Sequence, residues 1–238
     1  MRKSFIAAGA AAAALGAAGI AYAQNPAPTP TATVKVSPSK AGTKSKPKAI
    51  KLTLTVKNND DSKTTASKIA IKIPSTLKLS LTGLPACTKS DDDLINQGPS
   101  ICKSSIAGSG SANAKLTPFG AGAANVAFKV TPIVGKKELL FHLAATGVSN
   151  NYVLHGKISG RTLTITIPPA VQQPVPGLYS ALSDLTSTLS LKKGSHSLLT
   201  STGCSGGSHK VGVTLSYSPN PTPPATGTAS ASGKAKCS

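Results

Sequence analysis

Aromatic and acidic residues are both scarce in this chain. Of its 238 residues, 3% are aromatic and none is tryptophan, so a hydrophobic core must be built from Val, Ile, Leu and Ala. Seven acidic residues stand against 26 basic ones, which gives a formal net charge of +19 at pH 7. Arginine is also nearly absent, because Arg161 is the one arginine beyond the first 23 residues. Arginine and aromatic side chains are the usual readers of nucleic acid, so we expect no specific nucleic-acid partner.

The N-terminus predicts an export signal. Arg2 and Lys3 precede an uncharged run of Ala, Gly, Leu and Ile. Ala21-Tyr22-Ala23 then places small residues at the two positions that signal peptidase recognises, so we expect cleavage after Ala23. The run is short and poor in strongly apolar residues for a membrane-spanning helix, which needs about 20 of them. The prediction is a signal peptide over residues 1–23 and a mature protein that is secreted, extracellular or cell-wall associated.

Cysteine usage agrees with export, because the four cysteines all lie beyond the predicted signal. They are Cys87, Cys102, Cys204 and Cys237, and four cysteines allow three pairings. Their clustering favours Cys87–Cys102 and Cys204–Cys237. The alternative is a metal site, but no C-x-x-C pair occurs and the histidines do not stand at ligand spacing near the cysteines. We therefore expect two disulfides, no metal and no cofactor.

Alternating apolar and polar residues predict an all-β fold. Residues 50–56 place Ile, Leu and Val on one face and Lys and Thr on the other, as a half-buried strand does. The clearest hairpin joins Tyr152–Ile158 to Arg161–Ile167 through Ser159-Gly160. Short strands of this kind, separated by turns, predict an antiparallel β-sandwich of about ten strands. It would occupy residues 34–238, as one domain or two packed sub-domains, after a Pro/Thr-rich lead-in over residues 24–33.

One short helix is predicted between the first two cysteines. Ser90 stands at the N-cap position, and Asp91, Asp92 and Asp93 complement the positive end of the helix. Gly98-Pro99 ends it. A calcium-binding loop would need acids at alternate positions and a distal Glu, which this segment lacks.

The sequence Gly203-Cys204-Ser205-Gly206-Gly207 is the strongest catalytic candidate. It fits the G-x-S-x-G motif of serine hydrolases, with His142 or His155 and Asp184 as partners. A nucleophile elbow needs a helix after the serine, whereas the residues after Gly207 predict a strand. Gly108-Ser109-Gly110, a glycine pair without the rest of a nucleotide-binding motif, predicts a turn. We therefore expect no enzymatic activity and keep hydrolysis by Ser205 as an alternative.

The positive charge is carried by dispersed lysines on the outward faces of the predicted strands. Such a surface attracts anionic polymers or membranes in a salt-sensitive way, and it also protects strand edges and aids solubility. The candidate polyanion-binding residues are Lys51, Lys57, Lys68, Lys72, Lys136, Lys137, Lys192 and Lys193. The prediction is a non-enzymatic interaction or structural module at the cell envelope that binds anionic cell-wall polymers or a membrane surface. A purely structural or adhesive protein is the other alternative.

Three short motifs carry a resemblance to a known group. They are LPACT at Leu84–Thr88, CKSSIAGSGSA at Cys102–Ala112 and LTPFG at Leu116–Gly120, followed by a Gly-Cys turn and a terminal Cys. With the export signal, this pattern resembles uncharacterised exported proteins of actinobacteria. The resemblance implies an extracellular β-sandwich with paired cysteines and brings no known activity.

Overall fold

The computed structural model describes residues 28–58, 64–117, 124–147, 150–218 and 227–238. The predicted signal peptide, 1–23, lies outside these ranges. The strands are β1 Pro30–Ser37, β2 Lys48–Ala49, β3 Lys51–Asn58, β4 Ala66–Lys72, β5 Leu77–Leu79, β6 Gly108–Thr117, β7 Asn125–Val134, β8 Glu138–Ala145, β9 Asn151–Ser159, β10 Thr162–Thr166, β11 Tyr179–Leu189, β12 Lys192–Lys193, β13 His196–Ser197, β14 Leu199–Ser201, β15 Ser208–Tyr217 and β16 Thr228–Lys236. The helical segments are α1 Asp91–Gln97, a 3-10 helix over Pro99–Ser105, and α2 Pro169–Gln172.

Eleven strands form one hydrogen-bonded sheet in the order β1-β3-β11-β6-β7-β8-β9-β10-β4-β15-β16. Every neighbouring pair is antiparallel. The predicted all-β antiparallel class is therefore confirmed. β2, β14 and β5 form a small second sheet, and β12 pairs with β13.

The large sheet nearly closes on itself, because its first and last strands lie side by side. Each step in the eleven-strand order is antiparallel, so β1 and β16 run in the same direction. The Cα of Gly233 on β16 packs so closely on β1 that an added Cβ would lie 2.6 Å from Val34 Cγ2. Beyond β16, Ser238 N–H donates to the Ser39 carbonyl at 3.2 Å, and Ala41 N–H donates to the Ser238 carbonyl at 2.7 Å. We call this junction of β1 and β16 the seam.

The period-two pattern of the strands separates an apolar interior from a polar outer face. On β3, Leu52, Leu54 and Val56 are buried inside the rolled sheet, and the threonines between them face outward. Both of these threonines pair with threonines of β11. Thr53 Oγ1 lies 2.9 Å from Thr188 Oγ1, and Thr55 Oγ1 lies 3.0 Å from Thr186 Oγ1.

The two ends of the rolled sheet are covered differently. The small sheet of β2, β14 and β5 covers the end at which β4 stops and β10 starts, which we call the upper end. There Ile50, Leu77, Leu198 and Leu199 join the main core. At the opposite, lower end, α2 packs Val171 against the same core.

A second apolar cluster lies outside the rolled sheet, between α1 and the outer face of β7, β8 and β9. Leu94 of α1, with no exposed surface, packs on Ile133, Leu140 and Val153. The predicted cap is confirmed, because Ser90 Oγ accepts from the Asp93 N–H at 3.1 Å, and the Asp93 carboxylate accepts from the Ser90 N–H in return. This capping box fixes where α1 begins.

Both predicted disulfides are present. Cys87–Cys102 joins the second apolar cluster, and Cys204–Cys237 ties the turn before β15 to the residue after β16. Two disulfides are typical of proteins that work in an oxidising compartment.

Two segments differ from what the sequence predicts, and a third, at the C-terminal end, has no clear sequence signal. β1 begins at Pro30, inside the segment predicted as a lead-in. Gly108-Ser109-Gly110 was predicted as a turn but begins the long strand β6. The final Ala/Ser/Gly/Lys segment forms β16, an edge strand of the main sheet. Small side chains give β16 little hydrophobic contrast, which hides its alternation in the sequence.

Candidate polyanion-binding surface

The eight lysines predicted to bind polyanions are all exposed, but the structure distributes them over four places. Lys51 and Lys57 lie at opposite ends of β3, and Lys68 and Lys72 at opposite ends of β4. The other four occupy the turn between β7 and β8 and the short strand β12. Lys57 and Lys68 lie at the opposite end of the rolled sheet from Lys51 and Lys72, so the eight residues do not form one surface.

Lysines that were not predicted fill the space around the upper end of the seam. Residues 40–48 contain Lys40, Lys44, Lys46 and Lys48 without an acid. The bond between Ala41 and Ser238 holds one end of this segment at the seam. Its other end pairs with β14, where Lys48 lies opposite Ser201. The close spacing of these lysines is visible in the sequence. That the segment lies beside the seam is known only from these contacts.

Two further lysines face each other across β15 and β16. Lys210 is the direct cross-strand partner of Lys234, and Lys236 follows two residues later on the same face. All three are exposed. Like charges directly opposite each other in a sheet are destabilising. A bound anion would relieve that repulsion.

A polar groove of about 480 Å³ opens beside the small sheet at the upper end. Lys78, Thr200 and Ala49 form one row across its three strands. Lys192 and His196 line the groove from the β12–β13 hairpin. Hydroxyl groups supply most of the remaining polar lining, and they belong to Ser80, Thr82, Ser195, Ser197 and Thr200. No acid lines the groove, so it presents two ammonium groups and several hydroxyls to a ligand.

These elements all lie at the upper end of the rolled sheet, and we call their lysines the lysine surface. It comprises the groove, residues 40–48 and the upper ends of β15 and β16. Its members are Lys40, Lys44, Lys46, Lys48, Lys78, Lys192, Lys193, Lys210, Lys234 and Lys236. Within the described ranges, no acid forms an ion pair with any of them.

The described acids lie elsewhere. Asp91, Asp92 and Asp93 are in the first turn of α1, which packs on β9, and Glu138 begins β8. β8 is halfway along the strand order, so in a nearly closed sheet it lies opposite the seam. Asp184, on β11, accepts two hydrogen bonds from Asn113 Nδ2 at 3.0 Å. The separation of signs leaves the lysine surface electrostatically unopposed.

Two of these acids share one histidine. His155 Nε2 lies 2.8 Å from an Asp91 carboxylate oxygen, and His155 Nδ1 lies 3.1 Å from a Glu138 oxygen. Partial burial lowers the pKa of His155, but the two carboxylates together outweigh burial and raise it above the usual value. His142, beneath α1, shows the opposite shift, because burial lowers its pKa and the charge of Lys129 adds to that effect.

His209 should make the folded protein less stable in mild acid. It is fully buried at the upper end of the interior, its Nδ1 lies 2.8 Å from Thr76 Oγ1, and burial lowers its pKa from 6.5. Below pH 6.5 the unfolded chain binds a proton that the folded state resists, so stability falls as pH falls. We expect the stability difference between wild type and His209→Gln, measured by urea unfolding, to shrink from pH 7.5 to 5.5.

His155→Gln is a control, because the pH dependence of its effect on stability should be opposite to that of His209→Gln. The raised pKa of His155 gives stability that is present below the unfolded value of 6.5 and is lost as pH rises through the folded value. The advantage of wild type over His155→Gln should therefore grow as pH falls. Equal pH profiles for wild type and His209→Gln would contradict the role of His209.

The residues of the alternative catalytic prediction are placed apart. Ser205 lies in an exposed turn beside the Cys204–Cys237 disulfide. His142 is buried under α1, His155 binds Asp91 and Glu138, and Asp184 binds Asn113. His209 is close to Ser205 in sequence but points into the interior toward Thr76. Within the described part of the chain, Ser205 forms no hydrogen bond to a histidine.

Neither a metal site nor a membrane-spanning helix is found among the described residues. No cluster of three His, Cys, Asp or Glu residues suited to a metal ion occurs in the described ranges. Among the helices the structure describes, none has the length and apolar character needed to cross a membrane. Comparison with family models, curated proteins and solved structures finds no match.

Proposed function

We propose that this protein is a secreted, non-enzymatic module of the cell envelope that binds anionic polymers through the lysine surface. The observation that carries the proposal is a groove with two lysines and no acid, at the same end of the rolled sheet as eight further lysines. We place the protein with the exported actinobacterial proteins that it resembles.

The groove accounts for the recognition of an anionic unit. Concave sites with convergent polar groups are the usual places where proteins hold small groups. Lys78 and Lys192 line the groove with Ser and Thr hydroxyls. An ammonium group is a compact, hydrated charge that donates to phosphate or carboxylate oxygens. The groove therefore suits a phosphate or carboxylate group flanked by sugar or polyol hydroxyls.

The rest of the lysine surface accounts for a polymeric ligand. A chain seated in the groove can continue over residues 40–48 toward Lys210 and Lys234. Each lysine near an anionic surface contributes about 1 kcal/mol, and salt screens this attraction. Affinity should therefore come from many weak contacts and fall with ionic strength.

Removing the groove lysines should weaken polyanion binding strongly. We expect Lys78→Ser with Lys192→Ser to lower the affinity of the mature, oxidised protein for polyphosphate about thirtyfold at low salt. The measurement is titration calorimetry across a salt series, and uncharged dextran is the negative control for non-electrostatic binding. The matched control is Lys136→Ser with Lys137→Ser, which removes the same charge from the turn between β7 and β8.

The control pair distinguishes binding through a defined lysine surface from binding that depends only on net charge. We expect it to change affinity by no more than about threefold, because its contribution acts at long range and is screened. Equal losses in both double variants would show that net charge alone drives binding. Absence of binding at low salt would favour a solubility role for the lysines and a structural or adhesive protein.

A further inference from the structure

The two disulfides differ in how easily a second molecule can reach them. Cys87 and Cys102 are both buried in the second apolar cluster, with 5% and 7% of their surface exposed. In the other bond Cys237 is also buried, but Cys204 is exposed. A disulfide opens when a thiolate reaches one of its sulfurs, so access decides which bond opens first.

The turn around Cys204 leaves space for an attacking thiol. It contains Gly203, Gly206 and Gly207, and a Cβ added to any of them would meet no non-adjacent atom of the described residues within 4 Å. Ser205, in the same turn, is exposed. The approach to Cys204 from outside is therefore open, because the residues beside it carry either no side chain or a small one.

Lysines near this bond favour exchange with an anionic thiol. Lys236 precedes Cys237 and lies opposite Ser208, and Lys210 faces Lys234 on the same two strands. Their ammonium groups attract an approaching thiolate and stabilise the thiolate that departs. By contrast, the three acids of α1 lie on the helix that packs in the same cluster as the other disulfide.

The Cys204–Cys237 bond joins three parts of the lysine surface. Cys204 follows β14, the central strand of the small sheet, and Thr200 of that strand lines the groove. Cys237 follows β16, which carries two of the lysines. The next residue, Ser238, accepts a hydrogen bond from Ala41 N–H, in the segment that carries four more lysines.

We propose that Cys204–Cys237 is a thiol-exchange site at which a dithiol reductant opens the bond and loosens the lysine surface. A thiolate of the reductant attacks Cys204 Sγ, the S–S bond breaks, and Cys237 leaves as a thiolate. The second thiol of the reductant then displaces Cys204 and closes the reductant's own disulfide. Two electrons and two protons pass from the dithiol to the protein, which gains two thiols, while Cys87–Cys102 stays closed.

The effect of opening on ligand binding rests on the proposed function. β16 stays paired with β15 from Ser208 to Ser216 after the bond opens, so the sheet is kept. The end of β16 and the chain after β14 are then free to move apart, and their lysines lose fixed relative positions. Many weak contacts strengthen binding only when they engage together, so the opened protein should bind a polyanion more weakly.

Timed reduction tests the exchange site without any polyanion. The mature, oxidised protein is treated with dithiothreitol, free thiols are alkylated at intervals, and the alkylated cysteines are identified by mass spectrometry. We expect Cys204–Cys237 to open at least about tenfold faster than Cys87–Cys102, because exposed disulfides are the labile ones. Equal rates, or earlier opening of Cys87–Cys102, would overturn the proposal.

Monothiols identify the sulfur that is attacked and the role of charge. Glutathione should be trapped on Cys204, and its rate relative to cationic cysteamine should fall about two- to threefold in Lys236→Ser. The matched control is Lys103→Ser, because Lys103 follows Cys102 as Lys236 precedes Cys237, and it should keep the wild-type ratio. Glutathione trapped mainly on Cys237, or equal ratios in both variants, would overturn this route of attack.

Polyphosphate binding tests the effect on the lysine surface. Protein opened at Cys204–Cys237 alone and alkylated with neutral iodoacetamide should keep the circular dichroism spectrum of the oxidised protein and bind polyphosphate about tenfold more weakly. Opened protein that is reoxidised without alkylation should regain full affinity. Wild-type affinity or an unfolded spectrum in the opened protein would overturn the switch.

The two proposals fail in different ways. Absence of polyphosphate binding by the oxidised protein would contradict the proposed function, and the order of reduction would still decide the exchange site. Normal binding that is insensitive to opening would leave the proposed function in place and overturn the control of binding by the disulfide.

Discussion

Replacing Cys204 and Cys237 with serine is expected to lower the free energy of unfolding by about 3–4 kcal/mol. The bond closes a loop across 33 positions, and its loss frees the unfolded chain. The folded state is affected too, because Cys237 N–H donates to the Gly207 carbonyl at 3.0 Å and Ser238 bonds to Ser39 and Ala41 at the seam. The measurement is urea unfolding of the double variant against the oxidised wild type.

The other disulfide is a control for position. Cys87 and Cys102 are separated by 15 positions, so their replacement should cost about 3 kcal/mol. It should leave polyphosphate binding unchanged, because this bond lies in the cluster beneath α1. Loss of the Cys204–Cys237 bond should weaken polyphosphate binding, since β16 carries Lys234 and Lys236. A wild-type free energy of unfolding in either double variant would contradict the structural role of that bond.

Gly108→Ala is expected to destabilise the fold by about 3 kcal/mol, because there is no space for a side chain. A Cβ at this position would overlap the backbone oxygen of Thr188 on the neighbouring strand β11, and Gly110 meets Thr186 in the same way. Backbone atoms in a paired strand cannot move aside as a flexible side chain does. The measurement is urea unfolding. An unchanged slope of the free energy of unfolding against urea concentration shows that the substitution alters stability and not the unfolded state.

Two substitutions on the same sheet control for this prediction. Gly212→Ala on β15 should be neutral or stabilising by about 0.4–1 kcal/mol, because the nearest atom to its added Cβ is Lys72 Cβ at 3.7 Å. Ser109 is exposed between the two glycines. Ser109→Ala therefore changes the same strand without bringing a side chain against the backbone of β11. If Gly108→Ala were as stable as Gly212→Ala, the close approach of β6 and β11 would be wrong.

The features that the sequence predicted correctly are local. The alternation in residues 50–56 predicts β3, and the Ser159-Gly160 turn predicts the hairpin of β9 and β10. The capped helix and both disulfides follow from nearby residues in the same way. In each case the interacting groups are close in sequence, or their chemistry admits few partners.

The features that were missed depend on distant pairing. β3 pairs with β11, as the Thr53–Thr188 hydrogen bond across 135 positions shows. Nothing in the composition of either strand specifies that partner. The lysine surface has the same origin, because Lys210 meets Lys234 and Lys48 meets Ser201 through strand register. The candidate lysines were therefore chosen by outward position alone, and the groove residues Lys78 and His196 were not identified.

The small apolar cavity inside the rolled sheet, which Ala112, Ala114 and Ser187 help to line, could not be predicted for a different reason. Its existence depends on how much volume the rolled sheet encloses compared with the volume of its inward side chains. The sequence supplies the side-chain volume, including the small Ala112, Ala114 and Ser187. The enclosed volume depends on strand order and near closure, which are properties of the assembled sheet.

The position of β16 restricts the order in which the chain can fold. Ribosomal synthesis makes β16 after every other described strand, yet the seam needs it beside β1, near the start of the described residues. The bond from Ser67 Oγ to the Ser216 carbonyl already spans 149 positions, and long loops of this kind are slow to close. A partly made chain therefore exposes β15 as an unpaired edge that can join a neighbouring chain. Holding the chain unfolded until β16 is complete would protect it from aggregation.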